Sequence, residues 1–354
     1  MKKLLIIFAI LCLAAPAMAA DWNFYGNFRM ATWWVDDDYD ETIDGYKEDA
    51  DLQWEGGGNS RIGANVKVND QIGGGVEIGF DGSDMYARKI FGTYTFGGGS
   101  QLLIGKNYTP SALFYSNSVF GGDGDLLGLG EYYRNRQDMI QWKMGGFKVA
   151  LIDPTVTGVD DPVTNVTIPQ IEVGYGLKGD AFFVDVAGGY QTYELDGGAL
   201  GTQDVDAYIG ILGGGVNFGA FFAKAQVHMG QNTGNLGSSG PYVTGDLDLT
   251  TGAVIDTVAW TVTDNENVGG LLVLGFNASE MFTIEAGVGT ESYEVDVDNA
   301  PSETLMQYYL NATINIAPGF FIVPEVGMVT FDPDVSNAPE PERFYFGAKW
   351  QINF

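Results

Sequence analysis

The chain has 354 residues, with 46 acidic against 17 basic, a formal net charge of −29, 51 glycines and 13% aromatic residues. So few basic residues exclude a nucleic-acid binder, and a mean hydropathy near zero is too low for a bundle of membrane helices. Glycine at this level warns of disorder, but Phe, Tyr, Trp, Ile, Leu and Val recur along the whole length and exclude it.

Lys2 and Lys3, the apolar run Leu4 to Ala15 and the A-x-A site Ala17-Met18-Ala19 predict a cleaved signal peptide over residues 1–19. The mature domain then covers residues 20–354. The one cysteine, Cys12, falls inside the leader but away from its cleavage site, which argues against a lipoprotein. A mature chain without cysteine has no disulfide, thiolate metal site or cysteine nucleophile. No other stretch is apolar over the length a transmembrane helix needs.

Asp21 to Trp34 reads as the first strand, with Trp22, Phe24, Phe28 and Met30 on one face and Asn23, Asn27 and Arg29 on the other. Asp36 to Glu55 holds ten carboxylates against Lys47 and reads as a solvated loop. Ser60 to Val68 alternates again, with Arg61 and Lys67 opposite Ile62, Ala64 and Val66. Gly74 to Phe80, Arg88 to Phe96 and Gln101 to Asn107 follow, separated by turn signals. After the long segment Tyr108 to Glu131 come Tyr132 to Met144, Phe147 to Ile152, Gln170 to Lys178, Ala181 to Tyr193, Val205 to Phe218 and Ala220 to Gly230. Gln231 to Asn267 is the longest insertion. Val268 to Ala278, Met281 to Tyr293, Thr304 to Ala317 and Phe320 to Phe331 complete the series before the last strand.

That strand, Arg343 to Phe354, sets Phe344, Phe346, Ala348, Trp350, Ile352 and Phe354 against a largely polar face. About ten residues with aromatic ends and one apolar face suit a membrane-crossing barrel strand. The total is sixteen strands, joined alternately by short turns and long loops. The predicted fold is all-β, a 16-stranded antiparallel transmembrane barrel, wide enough for an aqueous channel. An even count puts both termini on the short-turn side, which is periplasmic in such barrels.

The segment after Asn107 is too apolar for an exposed loop. Phe114, Tyr115, Phe120, Leu126, Leu127 and Leu129 need a surface to pack on, and the inside of the barrel wall is the simplest one. Residues 108–131 are therefore predicted to fold inward and narrow the pore. Here the chain resembles the trimeric general porins of Gram-negative bacteria. Phe120-Gly121-Gly122-Asp123 is similar to the FGGD stretch of that family's constriction loop, and Tyr133-Arg134-Asn135 to the YRN that begins its next strand. Gly105-Lys106-Asn107-Tyr108 resembles its GRNY, with lysine for arginine, and Arg61 sits where the family has an early wall arginine. The terminal Phe354 resembles the aromatic end read by the barrel-assembly machinery.

The resemblance implies an outer-membrane homotrimer, in contact with lipid and lipopolysaccharide, that passes small hydrophilic solutes through a charged constriction. By position Arg61, Lys106 and Arg134 form its basic side. The family's glutamate before FGGD is Val119 here, so the acidic side falls to Asp123, Asp125 or Glu131. Alternation puts Lys106 on the face of Leu102 and Ile104, so either a bulge intervenes or Lys106 does not face the lumen. Further lumen positions by alternation are Arg29, Lys67, Glu77, Lys89, Glu172, Asp185, Lys224, Glu285, Glu325 and Lys349. These are mixed in sign, and the negative surplus in the outer loops favours cations by local enrichment.

No cofactor is expected. Asp36-Asp37-Asp38 and Asp246-Leu247-Asp248 offer hard oxygen ligands for Ca²⁺ or Mg²⁺ but lack EF-hand spacing. The single histidine, His228, is the one candidate for a barrel enzyme, and alternation makes it a lumen-wall residue beside Lys224 and Gln226. The expectation is a passive channel and not an enzyme. A sugar- or anion-selective porin is the alternative within transport, and an adhesin or an enzyme are the alternatives outside it.

Overall fold

The computed structural model describes residues 20–38, 51–81, 84–154, 163–237, 253–256, 260–297, 302–331 and 342–354. The expected signal peptide, the middle of the first acidic segment and Asp246 to Asp248 lie outside them.

Each of the sixteen alternating stretches gives one wall strand. The wall is made of β1 (Asp21–Asp38), β3 (Ser60–Lys67), β4 (Ile72–Asp81), β5 (Asp84–Thr95), β6 (Gln101–Asn107), β7 (Gln137–Met144), β8 (Phe147–Ile152), β10 (Gln170–Lys178), β11 (Phe182–Asp196), β12 (Thr202–Phe218), β13 (Phe221–Gln231), β16 (Asn265–Ser279), β17 (Phe282–Val295), β18 (Ser302–Ala317), β19 (Phe320–Phe331) and β20 (Glu342–Asn353). Each pairs antiparallel with the next, and β20 closes on β1 from Asn27↔Asn353 to Asp38↔Glu342. These sixteen strands form a closed barrel with no free edge, the arrangement that satisfies every wall amide without water. Short β2 (Asp51–Gly56) and β9 (Val163–Asn165) extend the lines of β3 and β10, while β14 (Val254–Asp256) and β15 (Thr261–Thr263) form a separate two-stranded ribbon. No helix among the described residues is long and apolar enough to cross a membrane.

Several strands run a few residues longer than read, β5 from Asp84 and β16 from Asn265 among them, and three differences bear on the architecture. The acidic segment is not all loop: β1 runs on to Asp38, and β2 pairs with it from Met30↔Gly56 to Val35↔Asp51. The run of carboxylates masks a short alternation, with Leu52 and Trp54 on one face and Asp51, Gln53 and Glu55 on the other. Between Tyr193 and Val205 the strands run on to Asp196 and from Thr202, leaving a tight turn where a loop was expected. Strand β7 begins at Gln137, so Tyr132 to Arg136 belong to the inward segment.

The barrel is apolar on its outside. Phe24, Ile90, Ile104, Val227, Leu272 and Ile352 are among many large apolar side chains left exposed there, far beyond what a soluble surface carries. The buried core lies inside the ring, where residues 108–136 pack on the inner wall. Val119, Phe120 and Leu129 join Trp33, Tyr293, Leu305, Val323, Val329 and Tyr345. Tyr115 and Leu126 join Leu271, Val273 and Tyr309. Tyr132 packs with Ala187, Ala207, Ile209, Ile211 and Leu236. Wall glycines make the approach possible: a Cβ on Gly289 would stand 1.9 Å from the Leu129 carbonyl oxygen, and one on Gly213 2.3 Å from the Tyr115 hydroxyl.

Candidate functional site

The inward segment is held by carboxylates of the far wall. Ser111 donates its backbone N–H (3.1 Å) and hydroxyl (2.7 Å) to Glu172 of β10. The Tyr115 hydroxyl donates to Asp185 of β11 (3.1 Å), and Asn117 N–H to Glu285 of β17 (2.7 Å). Glu325 of β19 accepts from the Ser118 hydroxyl (2.9 Å) and from the N–H groups of Val119 (2.8 Å) and Phe120 (3.2 Å). Gly130 N–H donates to Glu291 of β17 (2.9 Å). Lys224 of β13 returns the favour, donating to the Tyr115 carbonyl at 2.6 Å. Non-repetitive backbone inside a barrel has no ladder partner, so these acceptors supply what the loop amides would otherwise lack.

The other wall is cationic. A cavity of about 840 Å³ separates the loop from β1, β3, β5 and β20, and Arg29, Arg61, Arg88, Arg136 and Lys349 line it with Asp123 and Asp125. Asp123, on the FGGD turn, is paired with Arg29 and with Lys349 (2.5 Å). Glu77 of β4 is buried among cations: Arg88 Nε donates to it at 2.7 Å, Lys89 at 3.3 Å, and Arg61 stands 3.9 Å away. Arg61 also donates to the Asn59 carbonyl and side-chain oxygen. Arg136 lies over the Tyr108 ring at 4.7 Å and donates to its hydroxyl at 2.8 Å.

Arg88 owes its place to a β-bulge. The register slips between Glu77↔Lys89 and Ile78↔Ala87, so Arg88 is unopposed and two consecutive cations turn inward. Strict period-two reading could not place both. The tandem Arg88-Lys89 was itself the signal, since a charge on the lipid face is costly.

The structure brings Arg29, Arg61, Asp123, Asp125 and Lys349 to the cavity and places Glu77 and Lys89 behind Arg88. The other named residues are elsewhere. Arg134 is fully buried behind the loop, bonded to Glu172 at 3.0 Å; it was read as a wall position, but its backbone belongs to the loop's return. Glu131 is buried in the loop and accepts Tyr115 N–H. Lys106 pairs in register with Ile90 and Asp138, on the same outward row as Ile104 and Ile140. Alternation described it correctly and motif position did not. Lys67 sits at the short-turn rim against Asp70 (2.8 Å), largely exposed. His228 is buried against Glu291 at 2.8 Å, with Asn267 on the same carboxylate. Arg136, Tyr86, Tyr108 and Asn59 line the cavity without having been singled out.

The loop's own titratable groups reflect these surroundings. Burial, then the Glu131 charge, raises the Asp125 carboxyl well above the ordinary range. Burial also raises Glu131, against the pull of the Tyr115, Ser116 and Leu126 amides. Burial alone would raise the Tyr108 phenol, but Arg136, Arg88 and Arg61 outweigh it and hold it below the usual value. The potential at that ring is positive.

By sequence the chain matches no protein-family model and no curated protein. Its structure is similar to the outer membrane channel DcaP of Acinetobacter baumannii, with a TM-score of 0.71 at 15% identity over 94% of this chain and 97% of that one. It is also similar to the anion-selective porin of Comamonas acidovorans (TM-score 0.61, 10% identity, 94% and 100% covered). The trimer form of OmpT, an outer membrane protein of Vibrio cholerae, matches with a TM-score of 0.58 at 17% identity over 94% and 99%. At such identities the likeness is one of architecture: the chain has the closed sixteen-stranded antiparallel barrel found in outer-membrane porins.

Proposed function

We propose that the protein is a porin of a Gram-negative outer membrane, a passive water-filled channel for small hydrophilic solutes. The observation that carries this is the polar cavity between the inward loop and the cationic wall, inside a barrel whose outer surface is apolar. Fixed charges beside a narrow aqueous gap with low-dielectric walls sort what diffuses through it. The termini face the periplasm in this reading. The end of β20 seals against β1, where Gly26 N–H donates to the Phe354 carbonyl (2.8 Å) and Phe354 N–H to that of Gly26 (2.9 Å). That seam is what the assembly machinery would complete. A homotrimer is proposed on the likeness to trimeric OmpT. An enzymatic role gains no support from His228, which is buried behind the Gly128–Tyr132 return and held by Glu291. Ca²⁺ or Mg²⁺ bridging outer carboxylates to lipopolysaccharide stays a proposal: Asp36 to Asp38 lie at the end of β1, where Asp37 is already paired with Arg343 (2.6 Å), and Asp246 to Asp248 lie beyond the described residues.

Reconstitution into planar bilayers tests the reading. Steady ohmic current appearing in groups of three equal steps is the expected result; no current from folded, heat-modifiable barrel would refute it.

A further inference from the structure

We infer that the pore selects small anions, held first by the arginine cluster and then at a second site formed by Lys143 and Lys148. The inference rests on the channel reading above and adds the class of solute to it.

Charge bookkeeping over the whole chain points the other way, since the net charge is −29. What matters is where the carboxylates are. Glu172, Asp185, Glu285, Glu291 and Glu325 face the lumen by alternation, yet each accepts a hydrogen bond from the inward loop. The loop covers Glu172, Glu285, Glu291 and Glu325, while Asp185 stays half-buried at a recess beside Lys143 and Lys148. On the water side five cations meet two carboxylates. Asp123 is already engaged by Arg29 and Lys349. Arg61 and Arg88 share Glu77 with Lys89, and Arg136 is held by Tyr108 and Asn135. Tyr108, Tyr86 and Asn59 fan the guanidinium groups apart through hydrogen bonds. The result is a surplus of donors and positive charge at the gap, the composition that recognises carboxylate or phosphate oxygens. The expectation of cation enrichment from the outer loops is overridden here, because the nearest fixed charges dominate in a narrow passage.

The second site is independent of the first. Lys143 and Lys148 stand directly opposite each other on β7 and β8, on the inward face, two pairs from the Gly145-Gly146 turn. Like charges directly opposed across a ladder are unfavourable, and neither lysine forms an ion pair among the described residues. They line a recess of about 180 Å³ whose floor is Gly174 and Gly176. A Cβ on Gly176 would stand 2.9 Å from the Asp185 side chain, and one on Gly174 3.1 Å from the Pro110 carbonyl oxygen, so the floor must be bare. Asp185, the one carboxylate in the recess, accepts from the Tyr115 hydroxyl and offsets only one of the two lysine charges. An anion between the two ammonium groups removes the repulsion. Two successive sites of moderate strength let a solute enter and leave, as conduction requires.

The test is the reversal potential of the full-length channel in a bilayer under a KCl gradient, followed by titration of inorganic phosphate or acetate into symmetric KCl. Chloride is expected to permeate several-fold better than potassium. Arg88→Gln lowers that ratio roughly threefold and Arg88→Lys restores most of it. Phosphate is expected to reduce the chloride current more strongly than acetate, and Lys143→Gln/Lys148→Gln to weaken that block roughly threefold. Current that favours potassium overturns the anion assignment alone, and an unchanged phosphate block in the double variant overturns the second site. Absence of any current refutes the channel reading instead.

Discussion

Phe120 of the inward loop lies flat on Tyr345 of β20, ring centroids 3.7 Å apart and planes within 7°, while Trp33 meets both rings edge-on. This contact fixes the FGGD turn to the wall and so sets the position of Asp123, three residues on. Phe120→Ala empties a buried aromatic site, with an expected loss of about 3–5 kcal/mol from loop docking. The check is a lower unfolding temperature in detergent together with larger, noisier single-channel current.

Glu325 is the loop's principal acceptor, bonded to Ser118, Val119, Phe120, Asn311 and Tyr345. Glu325→Gln removes the charge and turns two donors toward existing donors. Hydrogen bonds to a charged group contribute roughly 1.5–3 kcal/mol each, so the loop should loosen by about that much. Increased proteolysis between Tyr108 and Arg136 in the folded barrel is the readout, with an unchanged cleavage rate counting against the anchoring role.

The buried Glu131 gives the loop a pH dependence. Its carboxyl rises from the ordinary 4.5 to about 8, first because it is buried. Asp125 and Lys224 are the charged groups that bear on it from the loop and the facing wall. A raised acid contributes stability that is complete below 4.5 and lost as pH climbs through its folded value. The loop is therefore held most firmly in acid and less so at alkaline pH. Unfolding temperatures of wild type should fall over that interval, and Glu131→Gln should reduce the fall, the raised Asp125 carboxyl keeping the remainder.

The outer face can be probed by charge. Leu272 sits mid-strand on β16, outward and exposed, between Ala225 and Val288 in the ladder. Leu272→Arg should cost about 2–4 kcal/mol in a bilayer, while Thr313→Arg, on the cavity side, should fold normally and alter conductance. Equal tolerance of both in lipid vesicles would contradict the inside-outside assignment.

Much of the barrel was legible in the sequence. Gln101–Asn107, Phe147–Ile152, Gln170–Lys178 and Phe320–Phe331 appear with the bounds read from alternation and flanking turn residues. The inward course of residues 108–131 was legible from misplaced apolar side chains. What escaped was whatever breaks the period or spans long separations. The bulge at Arg88 shifts the pattern by one residue, and a one-residue shift reverses the face. The anchoring role of Glu325 depends on Ser118, 207 positions away in sequence. Alternation reported that Glu172 and Glu285 face inward, but nothing local could say that the loop would cover them.

The central claim is that water and solutes pass between the inward loop and the arginine-bearing wall, and not on the loop's other side. Asn135 lines that gap and is exposed, whereas Val273 lies on the inner wall beneath the loop, fully buried. With Cys12 expected to leave with the signal peptide, Asn135→Cys and Val273→Cys each carry a unique thiol. A small water-soluble thiosulfonate applied during current recording should label Asn135→Cys within seconds and lower its conductance, leaving Val273→Cys unaffected. Equal labelling of the two, or block through Val273→Cys alone, would contradict the account.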